Sequence, residues 1–550
     1  MVSGYRHGNM VVFGQWGASQ IVGPTHSMRY DGAYYSAAQP QIPKYQIPVR
    51  WAFAPQLLGT FCGCGARIVS LLLKAIQLAF VVESISPNPN TIYIDMATLL
   101  DHNPSPQNFY ASLIQGQKFA LIPELILDSG EVLESCPVAY KTWGRLNDTA
   151  DNVLVICHAL TGSSDISDWW SPLLGRDKAF DPAHFFIFCA NVLGSPYGSA
   201  SPLTINPRTG RRYASEFPQT TVRDDVRAHK YVLDALGVRS VAAVIGGSMG
   251  GMTTLEWPLC TAPGYVKSII PIATAADHSA WGISWAETQR QCIYSDPKFD
   301  NGYYEPLPEG QPSAGLAAAR MVAMLTYRSC MSFDSRFGRK PQRQKPRPVQ
   351  EPPLDLPRTD VPVPVTTTGA APATAKERSE RKSWTARRDP SFSAQGYLHY
   401  QGQKFIQRFD ANCYLHITNK MDAHDVTVNR VPADEETLSP VDCDSALRSV
   451  LSVVPSGALV VSVETDALFL PEQQERLAAC LPDATLAMLK STDGHDGFLL
   501  EFEQLGTLIL GKLTRDFPHF YKSTYDDTSC STGHTAQPGS ASLTGEVEAW

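Results

Sequence analysis

The sequence predicts an α/β fold with a mostly parallel central sheet, and three observations carry that prediction. Short runs of β-branched and aliphatic residues recur at 153–157, 185–189, 241–245, 268–272, 458–463 and 485–489. A run apolar at nearly every position suits a strand buried on both faces. Helical patterns and turn residues separate the runs, which is the alternation that builds parallel sheets through crossover helices. One run, 241–245, ends in Gly246-Gly247-Ser248-Met249-Gly250-Gly251-Met252, where a strand gives way to a plausible helix start.

Residues 1–56 scatter Gly, Pro, Gln and Tyr without a period, so 1–105 is expected to be a poorly ordered N-terminal extension. It is read as dispensable, or as preceding a true start at Met96. Its one strongly apolar stretch, 68–82, is shorter than the roughly 20 residues that span a bilayer and contains Lys74 and Gln77. It also starts too far along the chain for a secretory signal. Cys62-Gly63-Cys64 has no second pair or His cluster at zinc spacing, so no metal site is expected.

The first part of the core, 106–276, opens with a hairpin: 119–127, the turn Asp128-Ser129-Gly130, then 132–143. Residues 224–236 put Val226, Val232, Leu233 and Leu236 toward one side of a helix that Gly237 stops. An insertion, 277–445, carries helical patterns at 316–327 and 401–414 and is expected to form a lid over the sheet's carboxyl edge. Within it, Pro341, Pro346, Pro348, Pro352, Pro353, Pro362 and Pro364 mark 339–390 as a disordered loop. The core resumes over 446–525, and the Ser/Thr/Gly-rich tail 526–550 is expected to be disordered.

With 43% hydrophobic residues the chain can bury a substantial core, which excludes a wholly disordered or collagen-like protein. Lys and Arg number 46 against 54 Asp and Glu, a net −8, so no global basic field draws the chain to nucleic acid or an anionic membrane. Twelve cysteines in 550 residues are too sparse for a disulfide scaffold, and Cys157, Cys189, Cys413 and Cys480 sit in apolar or mixed runs. They read as reduced thiols of a cytoplasmic protein.

The pattern G-x-S-x-G at a strand-to-helix turn lifts a serine hydroxyl clear of a sheet, and small flanking residues relieve the crowding there. A serine hydroxyl needs a base, and the base an orienting acid. In the α/β-hydrolase order, Ser then Asp then His, the candidates are Ser248, Asp466 after the run 458–463, and His495 in Asp493-Gly494-His495-Asp496-Gly497. Asp466 can also be read as a helix N-cap, with Glu464 a weaker acid, and His495 as a surface turn histidine. Oxyanion donors are expected from the Met249 amide and from Leu160, in the turn His158-Ala159-Leu160-Thr161-Gly162.

With these residues in place, the chain resembles the homoserine O-acetyltransferase family of α/β-hydrolase-fold acyltransferases, in its fungal form. The resemblance rests on the 158–162 turn, on Asn191-Val192-Leu193-Gly194-Ser195-Pro196-Tyr197-Gly198-Ser199, on Phe217-Pro218-Gln219-Thr220-Thr221-Val222-Arg223-Asp224-Asp225, on 246–252 and on Gly494-His495-Asp496. It covers roughly residues 118–517, apart from the Pro-rich loop.

The resemblance implies transfer of an acetyl group from acetyl-CoA, through an acetyl-serine, to the hydroxyl of L-homoserine in methionine biosynthesis. It implies no bound cofactor, acetyl-CoA being a co-substrate, and a homodimer. By motif, Ser248 is nucleophile, His495 base and Asp466 its orienter; Arg320 binds the acceptor carboxylate, Tyr327 lines the pocket and Asp496 holds the acceptor ammonium. Fungal relatives that acetylate a deacetylated cephalosporin, and others that acetylate L-serine or transfer succinyl groups, leave acceptor and donor open. A serine esterase of the same fold, with no use for Arg320 and Asp496, is the reading from a different reaction class.

Overall fold

The computed structural model describes residues 96–342, 392–431 and 440–522. The apolar stretch 68–82, the Cys62/Cys64 pair, the Pro-rich loop from residue 343 and the expected tail lie outside the described residues. Nine strands form one sheet: β1 (Thr98–Leu100), β2 (Lys118–Ile126), β3 (Val132–Trp143), β4 (Val153–Cys157), β5 (Phe186–Ala190), β6 (Val241–Gly247), β7 (Val266–Ile272), β8 (Leu459–Val463) and β9 (Thr485–Leu489). Their order is β1-β2-β3-β5-β4-β6-β7-β8-β9. Pairing is antiparallel from β1 to β5 and parallel from β5 to β9.

Every strand run read from the sequence is present, with ends shifted by a residue or two. β1 is an addition: Thr98 lies opposite Leu121, so the sheet begins inside the segment assigned to the extension. Three residues are too few to show a period, and β2 supplies the partner that makes them a strand.

The longer helices are α1 (Val222–Ala235), α2 (Met249–Cys260), α3 (Ala280–Tyr294), α4 (Ser313–Tyr327), α5 (Cys330–Arg336), α6 (Ser393–Ile406), α7 (Ala411–Asp422), α8 (Pro440–Leu451), α9 (Pro471–Cys480) and α10 (Phe502–Asp516). Alternation along the strands divides the core in two. Val153 and Val155 pack with Val226, Leu255, Leu447 and Leu477 of α1, α2, α8 and α9. Leu154 and Ile156 pack on the other face with Trp169, Leu505 and Ile509, the last two from α10. β4 and β6 thus read as uninterrupted apolar runs because both faces are covered, whereas β9, at the edge of the sheet, is partly exposed.

α1 starts with a capping box, in which Thr221 accepts from the Asp224 amide and Asp224 accepts from the Thr221 amide. It stops at Gly237, whose φ of +82° follows the last turn. The lid leaves the core at Asp277 and returns at Asp425. These two residues form a β-bridge, flanked by His278 N–H donating to His424 O (2.9 Å) and Val426 N–H to Ala276 O (3.0 Å). The stretch between them falls within the segment read from the sequence as the insertion 277–445.

The pattern 401–414, expected as one helix, is two. α6 ends at Ile406 and α7 begins at Ala411, because Asp410 is extended and its carboxylate accepts from the Cys413 amide as an N-cap. Gln311 satisfies the loosened carbonyls of Ile406 and Phe409. The lid is also pinned from below: Lys420 on α7, fully buried, donates to both Asp225 oxygens at 2.8 Å and to Leu193 O at 2.7 Å. Among the described residues no helix is long and apolar enough to cross a membrane.

Candidate active site

Strand β4 lies between β5 and β6, so the chain runs to opposite sides of it, and the loops at the carboxyl ends of β4 and β6 meet at the switch point. Ser248 stands there, between β6 and α2, with φ +59° and ψ −126°. A non-glycine residue holds such a conformation only when its surroundings over-determine it. Here Ser248 N–H donates to Ile272 O (2.9 Å), and Ser248 O accepts from the Gly251 amide (2.9 Å) and Thr274 Oγ1 (2.8 Å). The flanking glycines have a steric reason: a Cβ on Gly246 would lie 2.3 Å from Gly250 O, and one on Gly250 would lie 2.1 Å from Cys157 O.

His495 lines the same cavity as Ser248. Its Nδ1 donates to Asp466 Oδ2 at 2.7 Å, while Asp466 Oδ1 accepts from the Leu468 and Phe469 amides at 2.9 and 3.0 Å. The imidazole is stacked on Phe469 at 5.3 Å and meets the edge of Phe498 at 5.3 Å, so its plane is fixed as well. Burial acts to lower the His495 pKa, but Asp466 and then Asp496 outweigh it, and the pKa is raised above the ordinary 6.5. Asp466 is not a helix N-cap, since the next helix is capped at Leu470; one oxygen closes the turn to Phe469 and the other holds His495.

The 158–162 turn borders the cavity through Ala159, Leu160 and Thr161. Ala159 O accepts from Gly162 N–H (3.0 Å) and from His158 Nδ1 (2.8 Å), while His158 Nε2 accepts from the Val192 amide (3.1 Å). Those two contacts require one neutral tautomer, and burial holds His158 neutral by pushing its pKa down to about 4. A trans peptide sets C=O and N–H in opposite directions. With Ala159 O held behind the loop, the Leu160 N–H is turned away from His158. Arg408 braces the same turn from the lid, donating to Thr161 O and Tyr197 Oη at 3.2 Å each. The Met249 amide sits in the first turn of α2, at the positive end of its dipole.

Arg320, on α4, is 3% exposed, and its Nε and Nη1 have no hydrogen-bond partner. Its guanidinium lies over the Phe405 ring at 4.9 Å and the Tyr327 ring at 5.4 Å, and Arg320 and Tyr327 both line the cavity. Such donors are a set that an anion entering the cavity would satisfy. Asp496 lines the cavity too. Burial raises its pKa, against the opposing influence of Arg328, His495 and Arg320.

The structure therefore gathers Ser248, His495, Leu160, Arg320, Tyr327 and Asp496 around one cavity, with Asp466 behind His495 and Met249 buried beside Ser248. Sequence reasoning missed Arg328, which pairs with Asp496 at 2.7 Å, as well as Arg408 and the part His158 plays. Arg328 lies one residue beyond the helical pattern 316–327, and Ser329 after it is an N-cap signal for a sharp corner. That corner was the available clue.

The chain matches the alpha/beta hydrolase fold family over residues 152–502. It is 45% identical to the homoserine O-acetyltransferase of Cryptococcus neoformans var. grubii, over 77% of this chain and 93% of that one. With the homoserine O-acetyltransferase of Saccharomyces cerevisiae it is 48% identical, over 76% and 89% of the two chains. Among solved structures, the homoserine O-acetyltransferase of Bacillus anthracis superposes with a TM-score of 0.56 at 20% identity, covering 73% of this chain and 98% of that one. Esterase E22 superposes equally well, TM-score 0.56 at 22% identity over 72% and 99%, so these likenesses speak for the fold alone. The identities and coverage of the fungal relatives show that the chain belongs to the homoserine O-acetyltransferase family, acyltransferase enzymes on the α/β-hydrolase fold.

Proposed function

We propose that the chain transfers an acetyl group from acetyl-CoA to the side-chain hydroxyl of L-homoserine, through an acetyl-Ser248 intermediate, as a cytoplasmic step of methionine biosynthesis. The observation that carries this reading is the buried, unpartnered Arg320 guanidinium on the cavity that holds Ser248 and His495. A simple ester gives such a cation nothing to bind, whereas an amino-acid carboxylate can take it bidentately.

Ser248 Oγ attacks the thioester carbonyl as His495 Nε2 takes its proton. Asp466 keeps the Nδ1 proton in place and stabilises the imidazolium. The oxyanion is met by the Leu160 and Met249 amides, each such donor being worth about 3 to 4 kcal/mol in a transition state. The C–S bond breaks, the CoA thiol leaves with the proton from His495, and Ser248 remains acetylated. Homoserine then enters with its carboxylate on Arg320 and its ammonium on Asp496. His495 takes the proton of its hydroxyl, the oxygen attacks the acetyl carbonyl, and Ser248 leaves, recovering the proton. Two charged handles aim the acceptor hydroxyl at the acyl-serine, the kind of positioning that lets an alcohol outrun water.

The test is thiol release from acetyl-CoA by the purified protein with L-homoserine, L-serine, deacetylcephalosporin C or no acceptor, using Ser248→Ala as the blank. Homoserine-dependent release absent from the variant supports the reading. Preference for another acceptor replaces the substrate and keeps the mechanism, and equal release without an acceptor points to a hydrolase.

A further inference from the structure

Arg328 occupies the corner between α4 and α5, where the lid meets the loop that carries His495. Its side chain is 3% exposed; Nε lies 2.7 Å from Asp496 Oδ2 and Nη1 lies 3.2 Å from Asp493 Oδ1. The second aspartate is held in turn by Ser332 Oγ at 2.6 Å, and Ser329 Oγ donates to Thr492 O. Backbone meets backbone here: a Cβ on Gly494 would fall 2.6 Å from Ser329 N and 2.8 Å from Arg328 C. The corner therefore cannot slide over the loop without carrying Arg328 off Asp496.

Burial drives a carboxyl toward its neutral form, and a neutral acid is a poor receptor for an ammonium. The charges facing Asp496 are Arg328, His495 and Arg320, which favour its carboxylate, and Asp493, which disfavours it. Arg320 is the residue that would be given up to the acceptor carboxylate, and His495 must cycle through its neutral form. Arg328, already committed to Asp496, is the cation that stays in place through the reaction.

We propose that Arg328 is a positioning residue for the acceptor amino group: it holds Asp496 through Oδ2 so that Oδ1 faces the cavity as a carboxylate, and thereby selects amino-acid over amine-free hydroxy-acid acceptors. The inference rests on the acceptor geometry of the proposed function. Arg328 lines the cavity with Nε on Asp496 and Nη1 on Asp493, so its effect falls on the acceptor half-reaction and leaves acetylation of Ser248 alone.

The experiment uses the full chain with Arg328→Gln and Arg328→Lys, L-homoserine as acceptor and γ-hydroxybutyrate as its amine-free counterpart. Arg328→Gln is expected to raise KM for homoserine about tenfold or more, the scale of removing one close opposite charge from a buried carboxylate. The burst of thiol released on acetylation stays unchanged, and the homoserine preference over γ-hydroxybutyrate falls by the same factor. Arg328→Lys recovers part of that preference, and in an Asp496→Asn background the Arg328→Gln effect largely disappears. An unchanged preference in Arg328→Gln, or equal losses in both half-reactions, overturns the inference. If Arg328→Gln does not fold, the preference measured on Arg328→Lys decides. Absence of homoserine-dependent turnover in the unsubstituted protein would instead remove the proposed function and this inference with it.

Discussion

Replacing Asp466 with Asn tests the site through a single atom. Asp466 Oδ1 accepts from two backbone amides, and Oδ2 faces His495 Nδ1 at 2.7 Å. An asparagine can satisfy the Leu468 and Phe469 amides only with its carbonyl oxygen, which leaves its NH2 pointing at His495. Nδ1 must then become the acceptor, the ring proton moves to Nε2, and Nε2 can no longer take a proton from Ser248. The opposite flip restores the tautomer but leaves two buried amides unmet at about 1–3 kcal/mol each. That total of about 2–6 kcal/mol corresponds to a factor of roughly 30 to 10⁴. Because the imidazolium also loses its counter-charge, a fall in kcat of about 10³ to 10⁴ is expected. Thiol release from acetyl-CoA with saturating L-homoserine measures it, with the thermal midpoint as a check on folding. The pH profile supplies a second readout. His495 must be unprotonated to act as base, and its pKa is raised, so activity in the unsubstituted protein climbs with pH through a midpoint above 6.5. In Asp466→Asn the residual activity should have its acid limb at lower pH. A folded variant keeping more than about a tenth of the turnover with an unmoved acid limb would refute the assigned geometry.

Four further substitutions have expected outcomes. Arg320→Ala should cut kcat/KM for homoserine by about 10- to 150-fold, the loss of a charge-assisted hydrogen bond of about 1.5–3 kcal/mol, with the acetylation burst intact; stopped-flow thiol release separates the two steps. Gly250→Ala forces a Cβ against Cys157 O at 2.1 Å and His158 O at 3.0 Å, so it should cost about 1–3 kcal/mol or more and displace the Leu160 turn. Gly511→Ala on α10, with nothing within 4 Å of the added methyl, should instead stabilise by about 0.5–1 kcal/mol, both read from denaturant unfolding. Lys420→Met leaves Asp225 buried without its cation and should cost about 3–5 kcal/mol, with Lys420→Met/Asp225→Leu milder than the single change.

The sequence by itself determined the strands β4 to β8, because a strand covered on both faces must be apolar at nearly every position and so announces itself locally; β2, β3 and β9, partly exposed, were legible from short apolar runs and the turn residues around them. It also determined the elbow at Ser248, since the crowding that forbids a side chain at Gly246 and Gly250 acts within a few residues and leaves glycines as its trace. The order Ser248, Asp466, His495 was readable because each residue follows its own strand directly. What only the tertiary structure decided are relations between distant segments. Asp466 sharing its oxygens between a turn and His495 needs two loops brought together. The pairing of Arg328 with Asp496 spans the boundary between lid and core, as does the contact of Arg408 with Thr161 and the burial of Lys420 on Asp225. The break in 401–414 belongs to the same class, because the Gln311 amide that makes the interruption at Asp410 tolerable lies about a hundred residues away. Local sterics and burial leave a pattern in the sequence around them, whereas an ion pair or a borrowed hydrogen bond is written at two places, and folding alone joins them.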